Sequence, residues 1–340
     1  MARTSGSLRV YVLQRLLLMV PMVFILLTLV FYVLRAAPGD PVGAILGERN
    51  IAYADAIRRE LGLYDPLYVQ YFDYLRRILT GNMGTSLYTR NSVAADVAQR
   101  LPATLELTIA SMLVAVPVGI LLGVISATRR DRPADIISRL VAAVMYNTPV
   151  FWFALIMQLI FSVYLRWFEV GGRLSARISF PPNVTGMYTI DSLLAGQAYT
   201  FVDAVRHLIL PATTLGLVLS GFFARIVRAN MLQSLQADYV EAAKARGIRR
   251  GDVFYRHALK NAMVPVATTM GLSFAILFSG AILTETVFSW EGIGRYVYLA
   301  IQNRDYPALQ GAVVYYAIIM VFISLLIDIF NAWLDPRIRY

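Results

Sequence analysis

The chain has 340 residues, of which 58% are hydrophobic and only 15% charged, against roughly 25% charged residues in ordinary soluble domains. That balance points to a bilayer, and the net charge of +10 is then explained by retention of Lys and Arg on the cytoplasmic face rather than by nucleic-acid binding. The absence of cysteine excludes disulfides, thiolate catalysis and cysteine metal sites, and two histidines are too few for a histidine-rich one.

A helix needs about 20 apolar residues to cross the hydrocarbon core, and six runs of that kind occur. The first, 10–35, follows Arg3, Arg9 and Arg15, and its apolar stretch 16–34 exceeds a secretory h-region of about 7 to 15 residues. It reads as a retained span; the alternative is a signal peptide cleaved near Ala36-Ala37. Residues 36–99 hold basic and acidic residues in near balance and read as a small extracytoplasmic subdomain. Pro38-Gly39-Asp40-Pro41 and Asp65-Pro66 set turns there, and helical apolar spacing recurs over 51–61 and Leu67–Leu79. The latter, with Tyr68, Tyr71, Phe72 and Tyr74, fits equally a docking platform for an outside partner and an interfacial helix with a tyrosine belt.

Spans follow at 101–128, 136–166, 206–231, 263–289 and 309–333, with kinks expected at Pro117 and Pro211. An outer loop, 167–206, is punctuated by Gly171-Gly172 and Pro181-Pro182. The basic loops Arg129-Arg130-Asp131-Arg132 and 225–260, together with Arg337-Ile338-Arg339, fall on the side of the N-terminal arginines. Both termini are therefore expected in the cytoplasm. The expected organisation is an all-α integral membrane protein: 1–35 tail and first helix, 36–99 outer subdomain, 100–334 five-helix core containing the cytoplasmic loop 232–262, and 335–340 cytoplasmic tail.

The most informative stretch lies in that loop and reads Asp238-Tyr239-Val240-Glu241-Ala242-Ala243-Lys244-Ala245-Arg246-Gly247. Asp238 is a good N-cap, Glu241 stands where a capping box returns its carboxylate, and Gly247 suits a left-handed C-terminal turn. A helix of about eight residues, roughly 12 Å long, follows. Its alanines make it thin enough for a groove on another protein, with Lys244, Arg246, Arg249 and Arg250 around it. Asp252 is then expected to cap a second helix that leads through His257 into the fifth span, a rigid connection.

Ionisable residues inside spans are costly and default to function. Glu106 and Asp328 are assigned here to interfacial or intersubunit pairing. His207, near the outer end of the fourth span, either packs or touches substrate. Glu285, Trp290, Glu291, Gly292 and Gly294 form either a gate or re-entrant element, for which glycines allow sharp reversals, or an interfacial turn anchored by Trp290. A secondary transporter would want midplane ion sites on paired repeats, and an intramembrane enzyme a nucleophile, base or metal set. Neither pattern is present.

Glu241-Ala242-Ala243, Gly247 and Leu259 match the cytoplasmic loop pattern Glu-Ala-Ala-x3-Gly-x9-Ile-x-Leu-Pro, and the chain thereby resembles the permeases of binding-protein-dependent ABC importers. His257 and Lys260 depart from it, but Arg256-His257-Ala258-Leu259-Lys260-Asn261-Ala262 with Pro265 is similar to the branch serving dipeptides, oligopeptides, glutathione and nickel. Pro38-Gly39-Asp40-Pro41, Leu61-Gly62-Leu63, Leu101-Pro102-Ala103-Thr104-Leu105-Glu106-Leu107, Glu285-Thr286-Val287-Phe288-Ser289-Trp290-Glu291-Gly292-Ile293-Gly294 and Asp335-Pro336-Arg337 extend the likeness to that branch's first permease over nearly the whole chain.

The resemblance implies a type I ABC importer permease fold in a prokaryotic plasma membrane and a transport subunit that is not itself an enzyme. It implies a heterodimer with a second homologous permease, two ABC ATPase subunits and an extracytoplasmic solute-binding protein. The loop helix, comprising Asp238, Tyr239, Glu241, Ala242, Ala243, Lys244, Ala245, Arg246 and Gly247 with Arg249, His257 and Leu259 behind it, would couple to an ATPase. No Gly-rich Gly-Lys-Ser/Thr loop occurs, so ATP and Mg are expected on the partner ATPases and no cofactor on this chain. The implied solute is a peptide, with nickel, glutathione and oligosaccharides as alternatives, because specificity in such systems resides in the binding protein.

Overall fold

A computed structural model describes residues 8–36, 55–56, 58–59 and 62–334. The turn expected at 38–41, most of the helix expected at 51–61, Leu61 and the tail 335–340 lie outside the described residues, as does the side chain of Asp328.

In chain order the helices are α1 (Leu8–Ala36), α2 (Leu67–Leu79), α3 (Val93–Thr128), α4 (Pro133–Asn147), α5 (Val150–Gln158, extended by a π-helical turn Leu159–Tyr164), α6 (Tyr188–Leu194), α7 (Ala198–Leu235), α8 (Asp238–Ala245), α9 (Lys260–Gly280), α10 (Ile282–Val287), α11 (Ile293–Gln302) and α12 (Tyr306–Leu334). The sole β contact among the described residues is an isolated bridge between Thr85 and Ser92. Five helical stretches are long and apolar enough to cross a bilayer, and the α4–α5 pair is a sixth, bent by 100°.

That bend corrects the expectation of one span over 136–166. Pro149 has no N–H and disfavours the helical region for the residue before it, so Thr148 turns extended (φ −77°, ψ 126°) and α4 stops. Two other spans run further than expected. α3 starts at Val93 and α7 at Ala198, which takes the first turns of α7 and all of α6 out of the stretch read as a loop. At about 1.5 Å per residue both helices exceed the roughly 30 Å hydrocarbon core and project beyond it. The fifth span begins early, because residues 250–278 form one continuous rod, and ends early, since α9 stops at Gly280 and a separate α10 carries Glu285.

The centre of the molecule is the α3–α7 pair, which pack together along most of their length. Glycines permit the approach: a Cβ on Gly119 would lie 2.4 Å from Cβ of Phe223, one on Gly123 2.6 Å from Cβ of Val227, and one on Gly216 2.7 Å from the Ser111 carbonyl oxygen. Gly119 and Gly123 are four apart on one face of α3, the small-residue spacing that brings membrane helices close. Across α7, Gly221 lets α4 in, where a Cβ would meet the Ala142 carbonyl oxygen at 2.3 Å. Gly221→Ala should therefore push α4 off α7 and cost about 1–3 kcal/mol, read as an earlier thermal unfolding midpoint of the purified protein.

α1 pairs with α12, and α2 closes over both. The aromatic residues of α2 divide accordingly. Tyr71 and Tyr74 meet Phe31 of α1 with ring centroids 5.3 and 5.4 Å apart, the Tyr71 hydroxyl lies 2.6 Å from that of Thr28, and Tyr68 and Phe72 stay exposed. The inner face of α2 is thus core, and its outer face is exposed.

Candidate functional site

At one end of the bundle α8 stands across the tips of α3 and α7. Val240 and Ala243, three residues apart on one face, are buried with Val124 and Ala127 of α3, Val227 and Met231 of α7, and Val253, Ala258 and Ala262 of the rod that follows. Leu259 packs against the same cluster, and His257 is half-buried beside it. Asp238, Tyr239, Glu241, Ala242, Lys244, Ala245, Arg246, Gly247 and Arg249 are exposed. One face of α8 is thus anchored through Val240 and Ala243, and the opposite Glu-Ala face is exposed.

The start of α8 differs from the capping box expected. Asp238 is the first helical residue, Ala237 precedes it in extended conformation, and neither Asp238 nor Glu241 makes a cap hydrogen bond. Both carboxylates instead sit in the first turn, where the helix dipole favours them. Asp252 likewise lies inside its short helix Arg250–Asp252 rather than capping it.

The C-terminal end forms as expected. Gly247 adopts φ +73°, the Gly247 N–H donates to the Lys244 carbonyl at 2.9 Å and the Ile248 N–H to the Ala243 carbonyl at 3.2 Å. These are the two bonds of a Schellman motif, and Ile248 packs on the cluster that holds Ala243. After the turn the chain enters the continuous 250–278 rod.

Beside it lies a cluster not anticipated from the sequence. Asp135, in the first turn of α4, is fully buried. It accepts a short hydrogen bond from the Ser126 hydroxyl of α3 and one from the Asp131 N–H at 3.0 Å, and Arg228 of α7 reaches it at 3.3 and 3.4 Å. Arg139 is 3.2 Å away, and Arg228 also donates to the Ser126 hydroxyl oxygen at 2.8 Å. α3, α4 and α7 are joined here. The legible signal is an Asp two residues after Pro133 at a helix start; Arg228 falls within the basic stretch 225–260, where the sequence alone shows no partner for it.

At the opposite end, α10 finishes in a second Schellman-type turn. Ser289 takes φ +51°, and the Trp290 N–H donates to the Glu285 carbonyl at 2.7 Å. Trp290 is buried, with Nε1 donating to the Ala103 carbonyl of α3 at 2.8 Å. Glu285 is fully buried too. Its carboxylate accepts from the Thr104 hydroxyl at 2.7 Å and from the Arg295 N–H at 2.9 Å, at the start of α11. A Cβ on Gly292 would lie 2.4 Å from that carboxylate and one on Gly294 2.9 Å, so both glycines make room for it. Glu285, Trp290, Gly292 and Gly294 thus come together on α3 as a locked knot; Glu291 is exposed and does not join them. Trp290 is a core residue rather than an interfacial anchor.

Glu106 of α3, expected to pair at an interface, is buried with a partner of its own chain. It pairs within the chain with Arg173 at 2.7 Å, both 4% exposed, and accepts from the N–H and hydroxyl of Thr189 at 2.8 and 2.6 Å, which satisfies the start of α6. Arg173, missed in the sequence, stacks on the Tyr188 ring at 3.6 Å. On α6, burial would raise the Asp191 carboxyl, but hydrogen bonds from the Thr185 hydroxyl and the Thr185 and Gly186 N–H groups win and hold it below the usual carboxylate range. His207 packs, nearly buried, its Nδ1 2.9 Å from the Asp203 carbonyl oxygen.

Residues 119–340 match the family model described as binding-protein-dependent transport system inner membrane component, and residues 8–108 match the corresponding N-terminal model. The chain is 42% identical over 333 residues to a di/tripeptide transport system permease protein of Pseudomonas aeruginosa, covering 97% of this chain and 98% of that one. It is 38% identical to a dipeptide transport system permease protein of Escherichia coli K12, with the same coverage, and 35% identical to a glutathione transport system permease protein of E. coli O6:H1, covering 97% and 99%. Among solved structures, an amino acid ABC transporter crystallised with histidines is similar at TM-score 0.50 and 15% identity, covering 70% of this chain and 94% of that one; it supports the fold.

Proposed function

We propose, from the premise that the chain belongs to the family of binding-protein-dependent transport system inner membrane components, that it forms half of a peptide translocation pathway and that α8 is its coupling helix. Membership makes it a multi-pass membrane subunit of an ABC importer, a transport component rather than an enzyme, working with a solute-binding protein and ATPase subunits.

The finer reading is ours. The other half of the pathway is a second, homologous permease. The loop side, which carries α8 and both termini, faces the cytoplasm, where Arg129, Arg130, Arg132, Lys244, Arg246, Arg249 and Arg250 gather. ATP and magnesium bind the partner ATPases. Di- or tripeptide is the cargo, on the likeness to the di/tripeptide and dipeptide permeases; the lower identity to the glutathione permease makes that solute the second reading.

The observation that carries the mechanism is the two-sidedness of α8: Val240 and Ala243 anchor it to α3, α7 and the 250–278 rod, while Glu241, Ala242 and Ala245 are exposed, with no partner among the described residues. In this reading the ATPases close on nucleotide, α8 is displaced in its groove, and the rod and the α3–α7 pair pass the displacement to the far end, which opens outward to receive peptide. Hydrolysis reverses the movement.

Glu241→Trp places bulk on the exposed face, and Gly247→Val puts a β-branched residue at φ +73°, a conformation that costs such residues roughly 1–2 kcal/mol. Each should reduce peptide-stimulated ATP hydrolysis of the assembled complex about tenfold. A complex of normal composition that hydrolyses ATP with undiminished peptide stimulation would refute the role given to α8.

A further inference from the structure

Behind α8 lies a cleft of about 550 Å³, bounded by the last turns of α3 and α7, the end of α8 and the start of the 250–278 rod. Leu235, Ile248 and Phe254 form its walls, half-buried, and Arg130, Lys244 and Arg250 stand exposed at its mouth. Among the described residues, no acidic one lines it. Arg130 touches Asp131 at 3.3 Å through Nε, but Asp131 is 79% exposed, so that pair is water-screened and weak.

We infer that this cleft holds an anionic phospholipid of the cytoplasmic leaflet, with its phosphate on Arg130, Lys244 and Arg250 and the upper part of an acyl chain against Leu235, Ile248 and Phe254. Three observations converge. The volume is that of a small-molecule site, typically about 300–1,000 Å³. The charge at the mouth is of one sign, while the walls are apolar, which is the division within a single lipid. The cleft is bounded by the ends of two helices that are each long and apolar enough to cross a bilayer. An acidic protein segment would match the charge but has no need of apolar walls at the membrane surface.

The site also has a mechanical meaning. Lys244 belongs to α8 and Ile248 to the turn that closes it, while Arg130 lies in the turn after α3 and Leu235 ends α7. A lipid seated there ties the coupling helix to the spans it drives. Anionic lipid is thereby expected to strengthen coupling. This rests on the orientation given above.

The test uses the assembled importer in nanodiscs of phosphatidylcholine alone and of phosphatidylcholine with phosphatidylglycerol, comparing wild type with Arg130→Gln and Arg130→Glu, an exposed position outside the coupling helix. With about 1 kcal/mol per basic residue at an anionic surface, phosphatidylglycerol retained in native mass spectrometry should weaken about fivefold in the first variant and about 25-fold in the second. Peptide-stimulated hydrolysis should rise on adding phosphatidylglycerol to wild type and rise progressively less in the two variants. Equal retention across the three proteins, or density of an acidic ATPase segment filling the cleft, would overturn the lipid site. Stimulated hydrolysis in phosphatidylcholine alone reports on the importer function separately, so failure of that reading is recognisable by itself.

Discussion

Replacing Glu285 by alanine is expected to destabilise the protein by about 3–5 kcal/mol, the loss showing as a collapse in the yield of folded, monodisperse complex and a lowered unfolding midpoint. The carboxylate is fully buried, and its removal strands the Thr104 hydroxyl and the Arg295 N–H. Each stranded donor costs roughly 1–3 kcal/mol, and the space vacated between Gly292 and Gly294 adds a cavity penalty. Glu285→Gln keeps the shape and one acceptor oxygen, so it should retain about half of the lost stability. If alanine proved as stable as wild type, the knot at the end of α10 would hold nothing together.

The second large effect is at the other end. Asp135→Ala leaves Arg228 without its buried partner and frees the Ser126 hydroxyl and the Asp131 N–H. Breaking a buried ion pair costs about 3–5 kcal/mol, and the quarter exposure of Arg228 puts this instance at the lower end. Because Asp135 joins α4 to α3 and α7 where α8 stands, the variant should also uncouple: peptide uptake falls further than ATP hydrolysis in proteoliposomes. Asp135→Asn, which still accepts from Ser126, should recover stability more than coupling. A parallel fall in both activities, in proportion to the folded fraction, would reduce Asp135 to a structural role.

What the sequence disclosed follows from what local patterns encode. Long apolar runs located the five single-helix crossings and the region of the bent α4–α5 pair, and helical spacing delimited α2 at Leu67–Leu79 to the residue. The turn at Gly247 was readable because only a residue without Cβ sits comfortably at positive φ. The cap expected at Asp238 falls one residue earlier, because Ala237 occupies the extended position before the helix, a matter of register that propensity does not resolve. The 100° break at Pro149 was legible in principle, yet the apolar run continues across it and hides the stop.

The functional clusters were less legible, for a different reason. Glu106 and Arg173, Asp135 and Arg228, and Glu285 and Thr104 are each separated by dozens of residues or more and brought together by helix packing. A single sequence shows such residues as isolated charges in costly places, with no sign of the partner. The glycines of α3 and α7 resemble ordinary membrane-helix composition until the opposing side chains, Phe223 and Val227, are seen filling the room they leave.

That close fit bears on how the molecule moves. Two rods with backbone against side chain at Gly119, Gly123 and Gly216 have no slack in which to slide by an ångström, because any shift along the axis drives atoms into one another before it opens space. On the alternating-access mechanism proposed above, the pair would turn as a single axle, and travel between inward- and outward-open shapes would fall to whatever is hung from it, as whole-body tilting between two end positions with few stops between. Widening the seam, for example by enlarging Gly123, would add intermediate halts to the stroke rather than merely slow it.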